Sequence, residues 1–503
     1  MGQRFPFKRV ALLAWTVVVM HAPQTLRKVL RFMRSYIGLC AVTAAAVAVP
    51  ALATATRTPG ATAASSPIRH VVVIYLENHS FDNVLGFWCD RHPGRCPDGG
   101  MPAKVTLSNG AVIKPTVDPD TIPDVNHDGP SQVAAMDHGK MDGWDKIQPR
   151  YNMSGCGAQY SYLCVSGYKP AHIPNFATLA GKFAISDMTF SMSDSPSWEG
   201  HIYAVAASTD GFWGLTPSVR KGARGVGGWG CDSGRVAPWY SPSGSKLEEP
   251  SCVPDFSLGL PNGGAFRPTK VKYVPTIMDR LHAAGLTWKI YGATKGEAAY
   301  GEFDICPTFA ECLYTSQFNH LVDDGLFASD VANGQLPNFS VITPGGQTSS
   351  ESCHNKLSMT ACDNWVGQLV SDVENSRYWK STAIFITFDD YGGFYDQVYP
   401  GTNSNPDGTQ QGPRSPLLIV SPYAKPGYTD TTHTTFSGIL AYTEHNFGLS
   451  PLGKNDAQAY DFHNAFNYSQ APLAPVHMVK RPLPPSAKRI HLTLSQVMDG
   501  EES

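Results

Sequence analysis

Two segments far apart in this chain each place acids directly after an apolar run. Residues 69–76 (RHVVVIYL) lead into Glu77-Asn78, and residues 381–388 (STAIFITF) lead into Asp389-Asp390-Tyr391-Gly392-Gly393. If both runs are strands of a parallel sheet, both polar pairs lie along the carboxyl edge, where such sheets bind ligands. Three carboxylates and an amide gathered there repel one another unless a cation neutralises them. Oxygen-rich ligation of this kind suits a divalent metal. Gly392-Gly393 lets the backbone turn sharply or approach a ligand closely. Either pair alone reads better as a strand-end turn or a helix cap. Two pairs at the ends of two buried runs favour chemistry.

A third segment, residues 194–206 (DSPSWEGHIYAVA), is helix-compatible after Gly200. Pro196 suits a first helical turn, which sets Ser197 near a helix N-terminus. The dipole and free N–H groups there favour an anion, such as a phosphate or a serine alkoxide. On this segment alone, Ser195 or Ser197 reads better as an N-cap.

The elements that must position these residues follow from periodicity. Residues 416–421 (PLLIVS) form a third short apolar run, and all three suit strands buried on both faces of a parallel sheet. Helical patterns alternate with them: residues 275–285, bounded by Pro275 and Gly285 and followed by a strand-like 287–291; residues 364–374, with Trp365, Val366, Leu369, Val370 and Val373 on one face; and residues 436–447. The alternation predicts an α/β fold, a central mainly parallel sheet sandwiched by helices. Gly/Pro/Ser-rich stretches at 88–130 and 211–270 read as loops or small lobes near the active edge.

The 503 residues suffice for a large core, and the net charge of −3, without long basic runs past the N-terminus, excludes nucleic acid as the main partner. Gly and Pro are abundant (47 and 39), yet the 11% aromatic content argues against disorder. Residues 1–55 read as an N-terminal signal region: Met33-Arg34 is basic, 36–49 is a short apolar run, and Ala51-Leu52-Ala53 offers small residues for cleavage. The run is shorter than the ~20 residues of a spanning helix. Residues 1–32 read as an over-extended translation start, 56–67 as a linker, 68–475 as the catalytic domain and 476–503 as a tail. These boundaries predict an exported protein, secreted or in the cell envelope. Past Cys40, ten cysteines remain as near neighbours: Cys89/Cys96, Cys156/Cys164, Cys231/Cys252, Cys306/Cys312 and Cys353/Cys362. In an exported protein they read as five local disulfides tying the long loops. A zinc site is the weaker reading, because no C-x2-C pair occurs.

The motifs together resemble the bacterial phosphoesterase family that contains phospholipases C and acid phosphatases, within the alkaline phosphatase superfamily. Glu77-Asn78-His79-Ser80-Phe81-Asp82 resembles its Glu-Asn-Arg-Ser-Phe-Asp. Met141-Asp142-Gly143-Trp144 resembles Met-Asp-Gly-Phe, and Asp389-Asp390-Tyr391-Gly392-Gly393-Phe394-Tyr395-Asp396 resembles Asp-Glu-His-Gly-Gly-Phe-Tyr-Asp. Gly412-Pro413-Arg414-Ser415-Pro416 and the segment 421–427 match its late strand and loop. The resemblance runs from residue 68 to about 470 and implies an alkaline-phosphatase-like fold. It further implies that Glu77, Asn78, Ser197, Asp389 and Asp390 hold a divalent metal ion. Ser197 is the implied nucleophile, passing through a phosphoserine, and His354 the implied acid. His127 and His201 are further candidates, for substrate binding. The substrate implied is a phosphate monoester or a phospholipid head group, the latter with peripheral contact to membrane lipid; no protein partner is inferred. Phospholipase C members usually carry Pro-Asn-Arg after the nucleophile, whereas this chain has Glu199-Gly200-His201. That departure favours a phosphatase-like member. The rival readings are a serine carboxylesterase, for which the G-x-S-x-G elbow is missing, and a catalytically silent surface-binding protein of the same fold.

Overall fold

Eight strands build the central sheet: β1 (His70–Leu76), β2 (Ala184–Ser186), β3 (Trp288–Gly292), β4 (Leu321–Asp323), β5 (Phe339–Ile342), β6 (Thr382–Phe388), β7 (Leu417–Val420) and β8 (Thr429–Asp430). In the computed structural model, which describes residues 66–219, 228–259, 269–297, 300–345, 351–401, 405–485 and 487, their order is β4-β3-β5-β1-β6-β7-β2-β8. The signal region and all of the linker but its last two residues lie outside the described residues. Among the described residues no helix is long and apolar enough to cross a membrane.

β1 is the centre of the sheet because its apolar run can be covered on both faces. Val71 to Leu76 are all buried, and β1 pairs in parallel with β5 and with β6, Leu76 standing beside Phe388. The two acid-bearing strand ends are therefore neighbours by register.

The sheet is parallel throughout except at β7, which runs antiparallel to both β6 and β2. The sequence predicts a parallel strand there, and the structure corrects it. A parallel neighbour needs a crossover that carries the chain back across the sheet, usually a helix. Residues 389–416 contain no helix among the described residues. The chain instead stays at the carboxyl edge after β6 and re-enters the sheet from that edge.

Helices α1 (Gly129–Met136), α2 (Pro174–Lys182), α3 (Ser197–Ile202), α4 (Ile277–Ala283), α5 (Leu326–Asn333), α6 (Met359–Glu374) and α7 (Ser437–Phe447) are the ones used below. α4 starts where Thr276 and Asp279 form a capping box. α6 begins five residues before the expected 364, because Ser358 Oγ accepts from the Ala361 N–H and caps it there. Its buried face carries Val366, Leu369, Val370 and Val373. Asp363 of α6 in turn accepts from the N–H groups of Asn175 and Phe176, fixing the start of α2 on α6.

All five expected disulfides are formed, each between sequence neighbours. The described residues of the 211–270 stretch form more than a loop. They carry a three-stranded antiparallel sheet (Ser218–Val219, Arg235–Tyr240, Lys246–Pro250) beside the Cys231–Cys252 bridge. The start of the tail is held as well. Asn175 pairs its side-chain amide with both backbone groups of Val479, and Asn364 does the same with Arg481.

On α7, Glu444 is buried beside Asp456, and its carboxyl is pushed up from 4.5 to about 9, first by burial and then by that acid. A carboxyl raised in the native state binds its proton more tightly folded than unfolded. Stability present at pH 4 is then lost as pH rises from about 4.5 toward 9. Glu444→Gln is expected to match the wild type at pH 4 and to be the more stable protein at pH 8, by a few kcal/mol at most. Urea denaturation at the two pH values checks this.

Candidate active site

At the carboxyl edge of β1 and β6 the chain turns so that residues 311 apart in sequence bond directly. The Asn78 N–H donates to Asp389 Oδ1 at 2.9 Å. Asn78 adopts a left-handed conformation (φ 62°), which Asn tolerates better than most residues. The turn after Asp390 lies against it. Gly392 also has positive φ, and a side chain there would stand within 2 Å of the Asn78 carbonyl oxygen. Gly393, likewise at positive φ, packs on Val125. Trp144 of the Met-Asp-Gly-Trp segment supports this turn from below, against Tyr391 and Tyr395.

α3 brings the serine to the same point. Its N-cap is Pro196, with no side-chain cap bond, so neither Ser195 nor Ser197 serves as the cap. Ser197 is the first helical residue and is fully buried; its Oγ donates to Asn78 Oδ1 at 3.1 Å. One turn on, His201 Nε2 lies 2.5 Å from Glu77 Oε1 and 4.0 Å from Asp389 Oδ2. The His201 ring is held between Phe303, stacked at 5.2 Å, and Tyr75, edge-on at 5.2 Å. Gly200 makes this approach possible. A Cβ at that position would stand 2.9 Å from the Asp389 carbonyl oxygen, closer than real Cβ contacts come. Tyr75 OH fixes the helix further by donating to the Gly200 carbonyl.

Glu77, His201 and Asp389, all buried, each offer a ligand atom, and these atoms lie within 4.8 Å of one another. Asp389 Oδ2 and Asn78 Nδ2 are buried without a hydrogen-bond partner. A buried carboxylate oxygen left this way costs several kcal/mol unless something positive faces it. The donor set, two carboxylates with an imidazole, an amide oxygen and a hydroxyl beside them, thus fits a divalent cation. The Tyr75 hydroxyl registers the same concentration of charge. Its pKa is raised well above the usual value by burial, then by Asp389, Glu77 and Asp390.

The other expected site residues take different places. Asp390 is fully buried, and its Oδ1 accepts from the Gly392 N–H, bracing the turn. His354 sits on a loop fastened to the end of β1: the Glu77 N–H donates to the Ser352 carbonyl, and a His79 ring nitrogen lies 2.9 Å from the Cys353 carbonyl. Its own Nδ1 donates to the Asn355 carbonyl at 2.8 Å. Asn355 reaches Asp124 and the Gly392 carbonyl, and Lys356 pairs with Asp124 at 2.9 Å, so the segments bearing His354 and His127 are joined. His127 Nδ1 donates to the Val125 carbonyl at 2.7 Å. His79, where the resembled family has Arg, is neutral packing: burial lowers it to about 4, and it stacks on Phe394.

Sequence reasoning missed Tyr75, Phe303 and the positional role of Gly200. It also missed Arg414, which is fully buried and joins three motifs: it bonds Asp82 and Asp396 at 3.0 Å each and covers the Phe81 ring at 4.1 Å. For Arg414 the signal was available in the motifs themselves, which contain Phe81, Asp82, Asp396 and Arg414; Phe303 lies in none of them.

The Cys353–Cys362 bridge ties this loop to α6. Replacing both cysteines by serine is expected to lower turnover at least about tenfold, through loss of positioning of the Ser352–His354 carbonyls and ring. The same change at Cys89/Cys96, which closes a loop carrying no candidate site residue, is expected to alter stability only. Assays of the two double variants, with thermal melts alongside, check this.

Comparison with known proteins supplies the family. The Phosphoesterase family model matches residues 68–450. Non-specific phospholipase C6 of Arabidopsis thaliana is 25% identical over 454 residues, covering 81% of this chain and 74% of that protein. Phospholipase C B of Mycobacterium tuberculosis is 24% identical over 465 residues, covering 80% and 78%. Among solved structures, a Vibrio parahaemolyticus protein described as belonging to the alkaline phosphatase superfamily is 14% identical, covers 57% of this chain and 64% of its own, and gives a TM-score of 0.33. That score is too low to argue from, and the fold rests on the sheet described above. With a family model spanning most of the chain, the chain belongs to the Phosphoesterase family and is a phosphoric ester hydrolase.

Proposed function

We propose that this protein hydrolyses phosphate esters through Ser197, with a divalent cation held by Glu77, His201 and Asp389 and assisted by Asn78. The observation that carries this reading is the 3.1 Å bond from Ser197 Oγ to Asn78, which sets the hydroxyl beside that triad. A cation bound there would supply the positive charge that lowers the serine pKa and draws the phosphoryl oxygens. Asn78 orients the Ser197 hydroxyl, and Gly200 and Tyr75 hold α3 so that the hydroxyl cannot swing away. Ser197 gives up its proton to solvent water, its Oγ attacks phosphorus, the Oγ–P bond forms and the bond from phosphorus to the alcohol oxygen breaks. His354 protonates the departing alcohol. Water then cleaves the phosphoserine, and the serine recovers its proton. Asp390, bonded to the Gly392 turn, serves to fix Asp389 and Asn78 in register.

The relatives named above are phospholipases C, which brings phospholipid into consideration as substrate. The Glu199-Gly200-His201 departure favours a phosphatase-like activity. Five local disulfides and the apolar, basic N-terminal stretch support export to an oxidising compartment.

The test is hydrolysis of p-nitrophenyl phosphate and of phosphatidylcholine by chelator-treated protein, with and without added divalent cations. Activity that disappears with the chelator and returns with a cation is expected. Full activity without cations, abolished by a serine-acylating reagent, would replace this mechanism by the carboxylesterase reading.

A further inference from the structure

Beside the N-terminus of α3 lies a cavity of about 280 Å³. Its wall includes Pro196, the residue before Ser197, and His127. Gln132 is buried and donates its side-chain amide to the carbonyls of both His127 and Ser195, so the two walls are one rigid frame. Neither of the other cavities described, one at Leu452 and Asn455 and one under the Pro-rich tail, is lined by a residue of the site.

We propose that this cavity receives the alcohol part of the ester, and that it selects a compact, uncharged alcohol of about one ring rather than a diacylglycerol. This rests on Ser197 being the nucleophile, since the cavity is lined by Pro196, the neighbour of that residue in the chain. Its volume falls just below the ~300–1,000 Å³ typical of sites for drug-sized ligands. Two acyl chains could not enter it. Met153, Leu215 and Pro238 give it apolar walls. Its one guanidinium, Arg150, is already bonded to Asp128 at 3.0 Å and lies over the Tyr151 ring at 4.8 Å. With Asp128 neutralised by Arg150, Glu248 leaves the lining negative. A second anionic group on the alcohol is therefore disfavoured, while an apolar or hydroxylated ring is matched by the walls.

Leu215 is half-buried, so a larger side chain there fills the cavity without disturbing the core. In the cation-loaded protein, Leu215→Trp is expected to raise KM for p-nitrophenyl phosphate about tenfold, the scale on which apolar pockets discriminate. Competitive inhibition by inorganic phosphate, which reads only the phosphoryl end, is expected to stay within twofold of wild type. If KM for the aryl ester is also unchanged, the alcohol binds elsewhere and the proposal falls. If both constants rise together, Met153→Ala decides. An enlarged cavity should improve kcat/KM for naphthyl phosphate relative to p-nitrophenyl phosphate, and an unchanged ratio overturns the assignment. Phosphatidylcholine turned over faster than the aryl ester by the wild type overturns it as well. Failure of the underlying mechanism looks different: Ser197→Ala would then retain turnover whatever the pocket variants do.

Discussion

Ser197→Ala is expected to lower turnover of p-nitrophenyl phosphate by roughly 10⁴–10⁶-fold while the protein stays folded, since removing a covalent nucleophile costs on that scale. The structural cost is small. The hydroxyl donates a hydrogen bond to Asn78 Oδ1, and it does not cap α3, because Pro196 holds that position. Losing one buried hydrogen bond costs about 1–3 kcal/mol, which a melt resolves but a domain of this size survives. Ser195→Ala is the matched control. Its Oγ is buried with no hydrogen-bond partner, two residues away on the chain and outside the helix. It is expected to keep turnover within about tenfold of wild type. A folded Ser197→Ala protein with near-normal turnover would remove the nucleophile from this residue. Loss of turnover in Ser195→Ala alone would transfer it to the neighbour.

How much of this site was legible before the structure depends on the kind of contact. The acids of β1 and β6 were legible because a buried strand has a recognisable apolar run and its carboxyl end is a fixed place. Register then did the rest: Leu76 beside Phe388 makes Glu77 and Asp389 neighbours. The direction of β7 was not legible, since an apolar run of four residues carries no sign of its orientation. It follows instead from a connection that lacks a crossover helix. The arrival of His201 at Glu77 was half legible. Its spacing of one turn from Ser197 puts both on one face of α3, but nothing local says which face meets the sheet. Gly200 says it in retrospect, because only a residue without Cβ lets that face come so near Asp389. His201 was expected among the substrate-binding groups, and the structure sets its Nε2 against Glu77 with Asp389 close by. The disulfides were legible for the opposite reason. Each closes a short local loop, with a separation of 6 to 21 residues, so pairing by proximity along the chain sufficed.

Arg414 is expected to be the most costly position outside the site. Its guanidinium is fully buried, bonds Asp82 and Asp396 at 3.0 Å each, and donates to the Asp187 carbonyl. Burial raises both acids, and Arg414 alone opposes that rise by its charge. Arg414→Met keeps much of the side-chain volume and removes the charge. Two carboxyls are then left buried against each other with no cation, and breaking a buried pair in this way costs about 3–5 kcal/mol. Arg414→Lys is not expected to rescue it, because one ammonium cannot reproduce the separate bonds to two carboxylates and a carbonyl. The damage should also reach activity. Asp82 and Asp396 follow Asn78 and Gly392 closely in sequence, and Asp396 Oδ2 accepts from the Asp82 N–H at 3.1 Å. The guanidinium thereby locks the segment after Glu77-Asn78 to the segment after Asp389-Asp390. Urea denaturation of Arg414→Met should show a lower midpoint with an unchanged slope, the shift multiplied by the slope giving this loss. The double variant Asp82→Asn/Arg414→Met should recover part of the loss, since it removes one of the two stranded charges. An Arg414→Met protein within about 1 kcal/mol of wild type would mean that the acids take up protons without strain, and that the three motifs are joined by packing alone.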